Sequence, residues 1–188
     1  MAEGETTKKH RALAPEKLNA AVVTVSDSKF DYIWKRKLDE SYSGEIKDET
    51  DDISGRLLID GIEKAGNEVV FYSIIPDHKE LIKALVDFIV ERYSPDFIVI
   101  TGGTGISPRD VTIEAMMELY DKNLEGFGEY FRARSFDDIG SAALLSRAGA
   151  GVYNGCLIFS LPGSPNACKL GMEIIAREAS HLVKHVRE

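Results

Sequence analysis

The chain alternates short apolar runs with longer amphipathic stretches, and their order dictates the architecture. Ala20-Ala-Val-Val-Thr-Val25, Val69 to Ile75, Phe97-Ile-Val-Ile100 and Leu157 to Leu161 are near-continuous apolar runs. That is the pattern of strands covered on both faces. After the first run, Asp51-Asp52-Ile-Ser-Gly opens a helix to about Gly66, with Leu57, Leu58, Gly61, Ile62 and Ala65 facing inward. Pro76 closes the second strand; Asp77 then stands in N-cap position for a helix with Leu81, Ile82, Leu85, Phe88 and Ile89 on its stripe. Thr112 reads as the cap of a helix ending near Tyr120, and a further helical stretch runs to about Ser146-Arg147. Gly149 to Tyr153 and Cys156 to Leu161 flank Asn154-Gly155, the signal of a type I′ hairpin. Ser164 as cap and Pro165 at the first helical position start a last helix that buries Leu170, Ile174, Ile175, Leu182 and Val186. The order predicts an α/β fold: three αβα layers, a mostly parallel central sheet and an antiparallel hairpin near the C-terminus.

Residues 1–18 read as a flexible arm and 19–188 as one domain. Residues 29–50 are highly charged, carry Tyr32, Trp34 and Tyr42, and show no clean period. They read as a long inserted loop, either a lid or oligomer contact or an unpacked insertion.

Composition narrows the function. A net charge of −8 and a pI near 5.1 argue against a nucleic-acid partner. No apolar run has the length of a membrane span, and Met1 to Lys17 holds no apolar secretory core. Cys156 and Cys168 have no metal or redox spacing and read as free thiols of a reducing compartment, which places the protein in the cytoplasm. His181 and His185 stand four apart, but no third ligand accompanies them, and the polar face of a helix explains them.

The candidate chemistry lies at the strand ends. Thr101-Gly-Gly-Thr-Gly105 follows the third strand and precedes a helix. Its glycines permit positive φ and leave the backbone open, so Gly102, Gly103, Thr104 and Gly105 suit an anionic oxygen. Neither a P-loop nor a dinucleotide fingerprint fits, because Ser107 and Pro108 stand where those motifs need their later residues. Ser26-Asp27-Ser28 and Pro162-Gly163-Ser164-Pro165 end two further strands. All should meet at the carboxyl edge, where such sheets bind ligands. Asp77 and Asp110 beside a phosphate suggest Mg²⁺, which is usually held by one or two carboxylates, phosphate oxygens and water. The residues alone indicate an enzyme or binder for a phosphorylated small molecule.

Thr101-Gly-Gly-Thr-Gly-Ile-Ser-Pro-Arg-Asp-Val-Thr-Ile-Glu-Ala115 closely resembles the signature of the molybdenum-cofactor biosynthesis proteins that include molybdopterin adenylyltransferase and protein B. Supporting pieces are Val25-Ser-Asp-Ser28, Asp52-Ile-Ser-Gly55, Ile75-Pro-Asp77, Gly126-Phe-Gly-Glu129, Leu145-Ser-Arg147 and Leu161-Pro-Gly-Ser-Pro-Asn166. The resemblance covers about residues 19–186. It implies binding of molybdopterin and Mg-dependent transfer of AMP from ATP to its terminal phosphate, releasing pyrophosphate. Asp77 and Asp110 match the family's two essential acidic residues and would hold the metal. Ser26, Asp27 and the Pro162 to Pro165 turn would line the pterin or nucleotide site. The alternative is a molybdopterin-binding carrier without transfer. The motifs Ile-Ser-Pro-Arg-Asp and Leu-Pro-Gly-Ser-Pro-Asn-Ala look more like the protein B branch, and the resemblance implies a homo-oligomer, trimer or hexamer.

Overall fold

A computed structural model describes residue 15, residues 17–38 and residues 52–188. Strands β1 (Asn19–Val25), β2 (Glu68–Ile75), β3 (Phe97–Thr101), β4 (Lys122–Asn123), β5 (Gly149–Tyr153) and β6 (Cys156–Leu161) form one sheet in the order β2-β1-β3-β6-β5-β4. The four strands β2, β1, β3 and β6 run parallel, and β5 and β4 add antiparallel neighbours. Helices α1 (Asp27–Leu38), α2 (Ile53–Lys64), α3 (Lys79–Tyr93), α4 (Thr112–Leu119), α5 (Glu125–Ile139) and α6 (Pro165–Arg187) connect them, with a 3₁₀ turn at Gly140–Leu145.

Side-chain alternation along the strands divides the core in two. Ala20, Val22, Phe97, Val99, Leu157 and Phe159 pack on one face with α2, α5 and α6. Ala21, Val23, Ile98, Ile100 and Ile158 pack on the other with α3 and α4. This is the expected three-layer arrangement. The hairpin also forms as expected: Asn154 and Gly155 both take positive φ, as a type I′ turn requires.

Several boundaries differ from the sequence reading. Most of the 1–18 arm lies outside the described residues, but Leu18 is fully buried and its N–H donates to Asn67 Oδ1, so the domain begins before Asn19. The first part of the charged 29–50 segment is helical, not a loop, because α1 runs to Leu38; residues 39–50 lie outside the described residues. Ser26 starts that helix, its Oγ accepting from the Lys29 N–H at 3.4 Å. Phe30 and Trp34 meet edge to face one turn apart, which offsets the low apolar content of the segment. Helix α3 is capped by His78, not Asp77: His78 Nδ1 accepts from the Leu81 N–H. Helix α4 takes Val111 as its cap residue, and Thr112 instead donates its hydroxyl to the Gly102 carbonyl at 2.9 Å. Leu81 and Phe88 are exposed, and Val86 joins Ile82 and Ile89 in the core.

Register brings the strand ends together. Val25 pairs with Ile75, Thr24 with Thr101, and Thr101 with Leu161. The residues that follow, Ser26, Pro76-Asp77, Gly102 and Pro162, therefore leave the sheet side by side along one edge. After β1 the chain moves out to β2 and returns past β1 to β3, so the strand order reverses at β1 and β3. A crevice opens at such a switch point.

Candidate active site

The glycine loop sits at this switch point. Gly102 and Gly103 take positive φ, 98° and 62°. A side chain on Gly102 would collide with the Val25 carbonyl oxygen on the neighbouring strand. The turn is braced from below: Gly102 N–H donates to the Leu161 carbonyl at 3.1 Å, and Thr112 N–H to the Gly103 carbonyl at 2.9 Å. The N–H groups of Gly103, Thr104 and Gly105 have no protein partner among the described residues. Three successive amides without a protein partner, on a braced turn, are what an anion cradle requires.

Two carboxylates press on that cradle. A Cβ on Gly103 would lie 2.6 Å from Asp77 Oδ1, and one on Gly105 would lie 2.7 Å from Asp110 Oδ2. The glycines thus admit the acids as well as a ligand. Asp110 is fixed by the Ser107 N–H, which donates to its Oδ2 at 2.9 Å. Arg109 forms no ion pair with it among the described residues; its N–H contacts Ser107 Oγ instead. Asp77 and Asp27 exchange bonds: Asp77 N–H donates to Asp27 Oδ1 at 2.9 Å, and Asp27 N–H to Asp77 Oδ2 at 3.3 Å. Partial burial, with the charges of Asp27 and Asp110 beside it, holds the Asp77 carboxyl above the ordinary carboxylate range. The site carries excess negative charge.

That excess is what a divalent cation relieves. Among the described residues no three ligating side chains converge on one point. Two carboxylates alone do not cage Mg²⁺, but with phosphate oxygens and water they meet its usual needs. Asp77 and Asp110 supply oxygen donors of the kind Mg²⁺ accepts, short of a complete ligand set by themselves.

The second loop is tied to the first. Thr101 Oγ1 donates to the Pro162 carbonyl, Ser54 Oγ donates to the Gly163 carbonyl at 2.7 Å, and a Cβ on Gly163 would stand 3.3 Å from Gly102 Cα. Ser164 caps α6 by accepting from the Ala167 N–H, with Pro165 in the first turn. Beyond this turn a groove of about 700 Å³ opens between α5, the 3₁₀ turn and the start of α6, lined by Phe131, Ser135, Leu145, Ser164, Asn166 and Leu170. Ser26 Oγ is engaged at the head of α1, whereas Asp27 reaches the site through Asp77. His181 and His185 stack edge to face on α6, and His185 pairs with Glu188.

Two supports escape a sequence reading based on strand ends. Asp52 is 1 % exposed yet accepts from Thr24 Oγ1 and the Tyr72 hydroxyl, each at 2.6 Å, and from the Gly55 N–H. Its signal was the Asp-x-Ser-Gly step at a helix start. Arg147 donates to the Thr104 carbonyl of the glycine loop; an arginine amid small residues just before a strand was the available clue.

A glycine-loop anion cradle, paired carboxylates and a roomy neighbouring groove at a switch point define an α/β domain that handles phosphorylated small molecules. Comparison with known proteins gives the family. A family profile described as "probable molybdopterin binding domain" matches residues 21–181, and the chain belongs to that family. It is 47% identical over 168 residues to the "probable molybdopterin adenylyltransferase" of Methanocaldococcus jannaschii, covering 89% of this chain and 93% of that protein. It is 42% identical over 186 residues to the molybdopterin adenylyltransferase of Pyrococcus furiosus, covering 96% and 98%. The crystal structure of the tungsten cofactor synthesizing protein MoaB from Pyrococcus furiosus superposes with a TM-score of 0.76 at 42% identity, covering 93% of this chain and 100% of that one.

Proposed function

We propose that this protein transfers AMP from ATP to the terminal phosphate of molybdopterin, releasing pyrophosphate. The observation that carries the reading is the placement of Asp77 and Asp110 against Gly103 and Gly105 of one anion cradle. Relatives at 42–47% identity named for this activity support it.

A molybdopterin phosphate oxygen attacks the α-phosphorus of ATP; one P–O bond forms, the α–β bridge bond breaks, and pyrophosphate departs with the electron pair. The nucleophile is already anionic, so no strong base is required, and catalysis rests on positioning and charge stabilisation. The amides of Gly103 to Gly105 hold phosphate oxygens where negative charge accumulates. Asp77 and Asp110 would hold Mg²⁺, which when bound neutralises phosphate charge. The groove beside Pro162, Gly163, Ser164 and Pro165 has room for the bulky pterin. The tungsten named for the solved relative would change nothing in this chemistry, which occurs at the phosphate.

This reading extends to assembly. Phe136, Ile139, Leu144 and Leu145 are exposed by 55–82% around the groove. Covering them with further copies of the chain, in a trimer or hexamer, accounts for such a surface. Both cysteines are buried and free, which suits the cytoplasm, and among the described residues no helix is long and apolar enough to cross a membrane.

The test is incubation with molybdopterin, ATP and Mg²⁺, followed by assay of adenylylated product and pyrophosphate. Transfer by the wild type, lost in Asp77→Ala and Asp110→Asn with the fold intact, is expected. Saturable molybdopterin binding without product would instead make the protein a carrier.

A further inference from the structure

Arg147 stands at the end of the link between the 3₁₀ turn and β5, outside the ligand-facing loops, with its side chain 30% exposed. Its guanidinium touches the backbone at two points, one within the glycine loop and one on the segment that joins the loop to α4. Nε donates to the Thr104 carbonyl at 3.1 Å, and one terminal nitrogen donates to the Asp110 carbonyl at 3.4 Å. The same group pairs in two-pronged fashion with Glu114 in the first turn of α4. That contact holds the Glu114 carboxyl below its ordinary range.

The peptide unit makes this grip directional. In a trans peptide the C=O and the following N–H point opposite ways. A Thr104 carbonyl turned toward Arg147 therefore turns the Gly105 N–H away from it, on the side of the cradle. The Asp110 carbonyl, drawn to the same guanidinium, fixes the backbone from which the Asp110 carboxylate projects. One planar, multiply donating group thus sets a free amide and an acid together. A lysine ammonium is a point charge and does not reproduce a fork of this geometry.

We infer that Arg147, held by Glu114, is a positioning residue for phosphate transfer, locking the Thr104 and Asp110 carbonyls so that the Gly105 amide and the Asp110 carboxylate face the substrate phosphate. The inference rests on the adenylyl-transfer reading for its kinetic consequence, but not for its structural one.

The experiment compares full-length wild type, Arg147→Lys and Glu114→Gln. Amide hydrogen exchange of the unliganded proteins is read at Asp110 and Thr112, whose N–H groups bond to the Ser107 and Gly103 carbonyls. Exchange there should accelerate at least about tenfold in Arg147→Lys, and less in Glu114→Gln, while β3 stays protected. In the transfer assay Arg147→Lys should lower kcat by about 10–100-fold and raise the Mg²⁺ concentration for half-maximal rate, with KM for molybdopterin changed little. Combining both substitutions should cost little more than Arg147→Lys alone. Wild-type exchange at Asp110 and Thr112 in Arg147→Lys would overturn the inference. So would wild-type kcat and Mg²⁺ dependence in a variant whose loop has loosened. A wild-type protein that transferred no AMP would defeat the functional reading alone, and the exchange result would still decide whether Arg147 fixes the loop.

Discussion

Asp27 and Asp77 hold each other by a reciprocal pair of bonds, each carboxylate accepting the other's backbone N–H. The two residues follow the ends of adjacent parallel strands, β1 and β2, where Val25 pairs with Ile75. The bonds fix the Asp77 carboxylate against Gly103, yet they bring two negative charges together beside Asp110. The arrangement favours function over the stability of the unliganded protein.

Asp77→Asn should therefore stabilise the metal-free protein while abolishing transfer. The Asp77 pKa is raised in the folded state, chiefly by burial and then by Asp27 and Asp110. A raised carboxyl favours folding below its unfolded pKa, and that contribution is lost as pH rises through the folded value. At neutral pH the wild type bears the whole cost. Thermal unfolding in chelator at pH 7 should show Tm higher by about 1–3 °C in the variant, with the gap closing as pH falls toward 4. A lower Tm at pH 7 would contradict the argument.

Asp27→Asn and Asp27→Ala should part ways. Asparagine keeps an oxygen for the Asp77 N–H and removes a neighbouring charge; alanine removes both. Steady-state kinetics should show Asp27→Asn within about tenfold of wild type and Asp27→Ala about 100-fold lower in kcat, as expected when a reacting group loses its alignment. Equal losses in both would show that the charge of Asp27, rather than its acceptor oxygen, matters.

The glycine loop allows a sharper separation. Gly102 has positive φ and abuts the Val25 carbonyl, so Gly102→Ala strains the backbone and should destabilise the fold by about 2 kcal/mol or more. Gly105 lacks that constraint, and its added methyl meets only the Asp110 carboxylate. Gly105→Ala should leave the unfolding free energy from urea titration within about 1 kcal/mol of wild type and still remove most transfer. Both are read from paired unfolding and activity measurements.

These contrasts show what the linear sequence can carry. Phe97 to Ile100 is uninterrupted apolar sequence, followed by Thr101 and two glycines of positive φ, so strand and turn were legible locally. The positions of Asp77 and Asp110 beside the glycine turn were legible, because Asp77 follows a strand end directly and Asp110 follows the turn itself. Helix α1 was not, because Phe30 and Trp34 stabilise it by contact with each other within a polar stretch. The caps of α3 and α4 were misplaced for a related reason. Asp77 and Thr112 have cap chemistry, but tertiary partners, Asp27 and the Gly102 carbonyl, claim them. Arg147 lies 43 residues from Thr104, and only the folded chain shows that they meet.

Asp52 gives the last test, in which stability and activity should move together in one variant and apart in another. Its buried carboxylate satisfies Thr24, Tyr72 and the Gly55 N–H, with Lys29 Nζ 3.7 Å away. Asp52→Ala leaves the Thr24 hydroxyl and the Gly55 amide without their acceptor and should cost about 3 kcal/mol or more. It also loosens the start of α2, from which Ser54 holds the Gly163 carbonyl, so transfer should fall with stability. Tyr72→Phe removes one donor from a half-exposed side chain and leaves the others in place. It should cost about 1 kcal/mol, with transfer kept near the wild-type rate. Urea unfolding and the transfer assay on both variants check the pair. Full activity in Asp52→Ala would mean that the Gly163 turn is held without α2, and that the Pro162 to Pro165 loop takes its shape from β6 and α6 alone.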